Sequence, residues 1–222
     1  MNEIMLSVRP KWCELIASGK KKIEARKTIP KCDVPFKVYI YCTKDKGISF
    51  WTGKRYVYTD DRSHNIFDIC GNGKVIGEFI CNKIDRLAVC GYDNRNTELR
   101  RVGDNLTAYD LDYDYLNKCQ LSLENLKKYS NGDGLYGWHI FNLKIYDEPK
   151  QLSEFYVDDK EAITGCKHRF RCGQPESVTQ HGGWIKGSYC CMKSGEPEWC
   201  EKCLKKPLVK PPQSWCYVER RD

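Results

Sequence analysis

No apolar run in the chain approaches the length of a membrane span, and the opening residues, MNEIMLSVRP, lack the cationic start and apolar stretch of a secretory signal. The expectation is a soluble cytoplasmic protein with no membrane partner. No segment repeats at a fixed period, and strands and helices do not alternate in a βαβ rhythm, which argues against a solenoid or a doubly wound sheet. A catalytic zinc signature of the H-x-E with P-C-x-x-C type is also missing. What remains is globular in composition: 222 residues with 41% apolar and 12% aromatic side chains. That length supports one substantial core with an appended module.

The net charge of +7 is unevenly spread. Residues 1–60 hold 13 Lys and Arg against 6 Asp and Glu, residues 61–160 hold 13 against 17, and residues 161–222 hold 11 against 7. A chain with basic ends and an acidic middle attracts polyanions by long-range Coulomb forces and counterion release. A merely lysine-rich surface gives the same count, so charge alone does not decide.

Fourteen cysteines are many. Without an export signal they read as thiols or metal ligands rather than a disulfide framework. Cys13, Cys32, Cys42, Cys70, Cys81, Cys90 and Cys119 are scattered, mostly in apolar patterns where a thiol acts as a small hydrophobe. The other seven crowd into the last quarter of the chain.

Periodicity gives a coarse map. Ile4 to Val8 reads as a strand. Pro10 suits the first turn of a helix that places Trp12, Leu15 and Ile16 on one face, with Gly19 just past its end. Ile23 and Ala25 then alternate with Lys22, Glu24 and Arg26, the period of a half-buried strand. FKVYIYC is a further strand, residues 43–73 read as a long irregular excursion, and KVIGEFI is the next strand, with Gly77 marking a bend or bulge. Ser122 caps a helix through Tyr129 that Asn131-Gly132 closes. GWHIFNLKIY reads as one long strand ended by Pro149, followed by a helical turn carrying Leu152 and Phe155, and SWCYVE as the last strand. The fold class is α+β, a small mixed barrel decorated by helices.

The stretches LSVRPKWCELIASGKKKIEAR and GKVIGEFICNKI together resemble the opening of ASCH domains, the activating-signal-cointegrator homology family, whose fold is a PUA-like β-barrel. GWHIFNLKIYDEPKQLSEF and PPQSWCYVE resemble later strands of longer bacterial or phage members. The resemblance implies an ASCH/PUA-like barrel over residues 1–157, a Cys-rich insertion over 158–207 and a final barrel strand over 208–222. It also implies a cleft beside Gly19–Arg26 that faces nucleic acid or a nucleoside. Some small members deacylate N4-acetylcytidine, and ribonuclease activity has been attributed to another.

The residues offer chemistry to match. The planar fork of Arg26 makes two hydrogen bonds to a phosphate or carbonyl. Glu24 steadies that fork or accepts protons from a base edge. Lys21 meets a phosphate, or acts as a base if neighbouring cations depress its pKa. The bland alternative is a surface ion pair, worth little. Arg9, Lys20 and Trp51 complete the expected ligand-binding set. Trp12, Tyr39, Tyr41, Tyr56 and Tyr58 are further rings near cations, each a candidate for base stacking or for core packing. His139 reads as a structural histidine, and His64 lies in a polar loop.

Family members with amidohydrolase activity carry a threonine three positions after the lysine, but here that position is Glu24, which lacks the hydroxyl for acyl transfer. Thr28 is on the wrong spacing; those members also carry a glutamate elsewhere in the chain, for which Glu78 is the candidate here. As an enzyme the chain would use Lys21 with Glu24 as a proton-transfer pair.

Between Phe155 and the last strand, Cys200-Glu-Lys-Cys203 forms a C-x-x-C knuckle and Cys166 and Cys172 a looser C-x5-C pair, with His168 and His181 nearby. At most one of the adjacent Cys190 and Cys191 joins a shared ion. A segment poor in core residues needs a staple, and structural Zn2+ on Cys166, Cys172, Cys191, Cys200 and Cys203 (four of these) would supply folding free energy. Free thiols or an iron–sulfur cluster are the other readings. Lys202, Lys205, Lys206 and Lys210 extend a basic face, and Cys216 reads as barrel core. The overall expectation is a protein that binds RNA or a modified nucleic acid. A hydrolase of acylated nucleosides or a ribonuclease is the alternative, and a metal-stabilised interaction module the third.

Overall fold

The computed structural model describes residues 1–58, 64–91, 97–103, 107–158, 191–193, 196–198 and 205–220. Its strands are β1 (Glu3–Val8), β2 (Ile23–Arg26), β3 (Phe36–Cys42), β4 (Trp51–Tyr58), β5 (His64–Cys70), β6 (Val75–Cys81), β7 (Ile84–Gly91), β8 (Thr97–Val102), β9 (Ala108–Tyr109), β10 (Leu135–His139), β11 (Phe141–Lys150), β12 (Phe155–Asp158), β13 (Cys191–Lys193), β14 (Glu196–Glu198), β15 (Lys205–Pro207), β16 (Trp215–Tyr217) and β17 (Glu219–Arg220). The α-helices among the described residues are α1 (Pro10–Ala17), α2 (Tyr113–Cys119) and α3 (Leu123–Ser130), with a 3-10 turn over Leu152–Glu154. The fold is thus mixed α+β and mostly strand.

The chain divides into two compact units, Met1–Lys150 with Pro211–Cys216, and Gln151–Lys210 with Tyr217–Asp222. The first contains two five-stranded sheets, in the orders β11-β6-β3-β1-β16 and β2-β10-β7-β8-β9. Both orders are linear, so among the described residues no ring of strands closes into the expected barrel. In the second unit β12 pairs with β15 and with β17. Among the described residues no helix is long and apolar enough to cross a membrane.

Alternation along β2 and β10 explains why the second sheet of the first unit has two occupied faces. Ile23, Ala25, Leu135 and Leu87 point to one side and pack with Tyr115, Cys119 and Leu126 from the helices. Trp138 and Ile84 point to the other side, into a core with Ile4, Leu6, Phe36, Val38, Ile40 and Cys13. Trp138 meets Phe36 edge to face at 5.4 Å. Glu24 sits opposite Trp138 in the β2–β10 ladder and therefore shares that second face.

Capping residues set the helix limits. Pro10 stands in the first turn of α1, and Gly19, at φ +71°, takes the left-handed turn that ends it. Asp112 accepts from the Tyr115 N–H at 2.7 Å to open α2, Ser122 accepts from the Asn125 N–H at 3.2 Å to open α3, and Asn131, at φ 54°, closes α3. A Cβ at Gly77 would strike the Lys144 carbonyl and lie 3.1 Å from the Ile145 Cα, so glycine there lets β11 lie against β6 next to a register shift.

Several sequence expectations need correction. β1 and β3 are parallel, joined through α1 and β2, so one strand–helix–strand crossover exists despite the absence of a repeating rhythm. The excursion at 43–73 contains the antiparallel pair β4–β5. GWHIFNLKIY is two strands in different sheets, because the chain turns at Ile140 and at Asn142, whose φ is 49°. Pro149 does not end β11, an edge strand where proline's missing N–H costs no ladder bond. SWCYVE likewise divides between β16 and β17, and Lys22 precedes β2 and is exposed, apart from Glu24 and Arg26.

Candidate functional site

A cavity of about 760 Å³ lies at the free edge of β2. Each element supplies side chains for a local reason. The period of β2 turns Glu24 and Arg26 the same way. The Gly19 turn, held by Gly19 N–H to Ile16 O at 2.8 Å and Lys21 N–H to Leu15 O at 2.8 Å, delivers Lys21 beside them. Ser7 and Val8 come from β1, Arg9, Lys11 and Trp12 from the start of α1, Thr43 from the end of β3, and Leu121, Asn125 and Tyr129 from the α2–α3 region.

Three ionisable residues on this wall are almost wholly buried: Lys21 at 2%, Glu24 at 7% and Arg26 at 8% exposure. Buried charges need partners, and these have them. Glu24 Oε1 lies 2.9 Å from Arg26 Nη2, and Glu24 Oε2 lies 3.3 Å from Lys21 Nζ. Lys21 Nζ also donates to the Cys119 carbonyl at 2.5 Å, and Arg26 Nη2 to the Ser7 carbonyl at 2.7 Å.

Counting donors shows what is left over. The Cys119 carbonyl takes one ammonium hydrogen of Lys21 and the Ser7 carbonyl one hydrogen of Arg26 Nη2, with Glu24 the ion-pair partner of both cations. Arg26 Nε is buried and has no hydrogen-bond partner. The triad carries a net formal charge of +1 with an unsatisfied donor, a combination complementary to an electron-rich acceptor.

Rings and rim cations surround this floor. Trp12 has Lys21 Nζ at 5.0 Å and Lys11 Nζ at 5.2 Å from its ring, so it holds two ammonium groups in place. Tyr129 is 41% exposed, leaving ring surface open at the cavity, and Lys27 Nζ lies 5.5 Å from its centroid. The nearby thiols are poor nucleophiles. Burial, with Glu24 and Asp85 acting in the same direction against Lys21, pushes Cys119 up to about 12. Burial, with Cys42 beside it, holds Cys13 well above the ordinary thiol range.

Of the residues expected from sequence, Arg9, Lys21, Glu24 and Arg26 meet at this cavity, whereas Lys20 and Trp51 do not line it. Both are exposed. Tyr39 and Tyr41 are buried, core rather than stacking surface. Glu78 is not among the lining residues and accepts from the Tyr146 hydroxyl. Thr28 accepts from Trp215 Nε1 at 2.9 Å. The side chains of Tyr56, Tyr58 and His64 lie outside the described residues. Sequence reading missed Tyr129, Asn125, Thr43 and the Cys119 carbonyl, all distant in the chain; only the Ser122 cap hinted that a helix would present Tyr129.

A second polar cluster lies on β7 and β10. Asp85 pairs with His139 Nε2 at 2.6 Å and Lys83 Nζ at 2.9 Å. Burial alone would raise its pKa, but the hydrogen bonds and charges of His139 and Lys83 prevail and lower it to about 2. His139 thus has a structural partner.

Cys166, Cys172, Cys200 and Cys203 lie outside the described residues, as does the side chain of Cys191. Among the described residues no group of three or more His, Cys, Asp or Glu side chains could hold a metal ion.

No family model matches the sequence, and no curated protein matches it. Among solved structures the chain is similar to the ASCH protein of Zymomonas mobilis, at 18% identity and a TM-score of 0.42, over 68% of this chain and 74% of that one. Two single-residue variants of that protein are similar at 19% identity, with TM-scores of 0.40 and 0.41, over 68% of this chain and 77% and 75% of theirs. All three structures are of an ASCH protein.

Proposed function

We propose that the chain is an ASCH-type, PUA-like nucleic-acid-binding protein whose cavity at β2 receives a base of RNA or of a modified nucleic acid. The observation that carries this reading is the buried Lys21–Glu24–Arg26 triad with its unpartnered Arg26 Nε. In this account Glu24 positions both cations, and Arg26 and Lys21 donate to a base carbonyl or a phosphate. Tyr129 supplies a stacking surface, and Arg9 and Lys11 at the mouth neutralise the backbone. The volume, about 760 Å³, lies in the range of small-molecule sites.

The test is binding of single-stranded RNA as a function of salt. Arg26→Lys keeps the charge but removes the fork, and should weaken binding about tenfold, the worth of one charge-assisted hydrogen bond. Lys11→Ala should reduce the salt slope by about 0.7, the release expected for one phosphate contact. Binding unchanged in both variants contradicts the reading.

A second reading is favoured by one observation, the 3.3 Å approach of Lys21 to Glu24. As a proton-transfer pair these residues would serve a hydrolase of acylated nucleosides or a ribonuclease, with Thr43, rather than Thr28, among the hydroxyls that line the cavity. Turnover of N4-acetylcytidine that survives Thr43→Val and Lys21→Met would remove those residues from the mechanism. The Cys-rich segment is proposed to hold structural zinc through four of Cys166, Cys172, Cys191, Cys200 and Cys203, on the strength of its C-x-x-C spacing.

A further inference from the structure

We propose that the ligand is a single-stranded oligonucleotide rather than a free nucleoside, because a second cationic cavity adjoins the first and forms a seat for the neighbouring nucleotide. The proposal rests on the preceding reading of the cavity at β2 and adds a subsite to it.

Register places the seat. Arg26 on β2 lies opposite Tyr136 on β10, and Tyr136 lies opposite Arg86 on β7. Residues in register on adjacent strands share a face, so the three side chains form a row spanning two strand spacings, roughly 10 Å. Along that row burial falls: Arg26 is buried, Tyr136 half-buried and Arg86 exposed. The row leads from the floor of the first cavity to open surface.

A cavity of about 430 Å³ lies at its outer end, lined by Lys27, Arg86 and Tyr136 and by the Gly132–Gly134 turn that follows α3. The backbone is shaped to admit it. Gly132 sits at φ +86°, and a Cβ at Gly134 would come within 2.9 Å of the Leu87 carbonyl, so glycines bring the turn close against β7. Consecutive residues link the two cavities: Arg26 lines the first and Lys27 the second. Tyr129 marks the same boundary, with Lys27 against its ring.

Charge selects a polyanion. Lys27 and Arg86 outnumber the single carboxylate of this cavity, Asp133. Among the described residues no carboxylate pairs with Arg86, whereas Arg100 on the next strand is matched by Glu98 at 2.9 Å and Asp110 at 3.2 Å. A strand with one base at Tyr129 would carry its phosphate past Lys27 and set the next base near Tyr136, with Arg86 on the following phosphate. Alternating cations and rings are what a single strand needs, since every base has a face to stack and every link a charge.

The experiment compares affinities of the full chain for cytidine, uridine, adenosine and guanosine, each as nucleoside, dinucleoside monophosphate and short homo-oligomer. The oligomer should bind about tenfold or more tighter than its nucleoside, one added stacking contact. Arg86→Ala should abolish most of that gain and lower the oligomer salt slope by about 0.7, and Arg86→Lys should restore the slope. Nucleosides that bind while oligomers gain nothing, or a gain indifferent to Arg86, overturn the second subsite and leave the first reading standing. If neither nucleosides nor oligomers bind, both fail. An acidic peptide that binds with the same Arg86 dependence while oligonucleotides do not would replace the proposed ligand.

Discussion

Glu24 and Arg26 stand two residues apart on one strand, and the Arg26 guanidinium reaches back to the Glu24 carboxylate at 2.9 Å while both are nearly sealed from solvent. The carboxylate is the only negative charge between two buried cations in this triad. Glu24→Ala should therefore cost about 3–5 kcal/mol of stability, because it leaves Lys21 and Arg26 without their counter-charge. Glu24→Gln, which keeps the shape but loses the charge and sets an amide donor against one of the two cations, should cost nearly as much. Urea denaturation of the two variants measures this, and a Gln variant about as stable as the native chain would show that packing rather than charge holds the wall.

Gly137 lies under the Tyr115 hydroxyl, and a Cβ there would collide with that oxygen and press on Ile23. Gly137→Ala should destabilise the chain by about 1–3 kcal/mol. The Tyr115 hydroxyl is buried without a hydrogen-bond partner, and burial holds its pKa far above the ordinary tyrosine value. Tyr115→Phe should cost less than about 1 kcal/mol alone and recover part of the loss in the double variant. Thermal melts of the four proteins read the coupling.

Asp85 gives the fold an acid limit. Its folded pKa, about 2, lies below the ordinary 3.8, so its ionisation stabilises the native state at higher pH. That contribution is complete above the unfolded pKa and is lost as pH falls through the folded one. Stability should decline between about pH 4 and pH 2, and the Asp85→Asn variant should show a shallower decline over that window. Denaturation midpoints at several acid pH values provide the comparison.

Zinc analysis tests the Cys-rich segment. The purified chain should carry about one zinc, and chelation should lower its melting temperature. Fewer than about 0.2 zinc per chain contradicts the proposed site.

What could be read from sequence was local. Pro10, Gly19, Ser122 and Asn131 announce helix limits because caps act within a few residues. The alternation from Ile23 to Arg26 separates a core face from a charged one because strand geometry has period two. The break at Ile140 was hidden, since alternation continues through it while the two halves join different sheets. The β4–β5 pair was hidden by polar residues that suit a loop equally well. At the cavity, Glu24 and Arg26 were visible as neighbours in the chain. Tyr129, Thr43 and the Cys119 carbonyl reach it only through tertiary packing, and no local pattern encodes that. Composition alone does not rank Lys20, Lys21 and Lys22 by burial; the turn after Gly19 buries Lys21 and leaves its neighbours exposed.

The most direct measurement is amide and side-chain chemical-shift mapping of the full chain with single-stranded RNA added. The account predicts changes at Lys21, Arg26 and Tyr129, with Trp51 and Lys20 unmoved. Changes confined to residues outside the cavity, or none at saturating RNA, would contradict it.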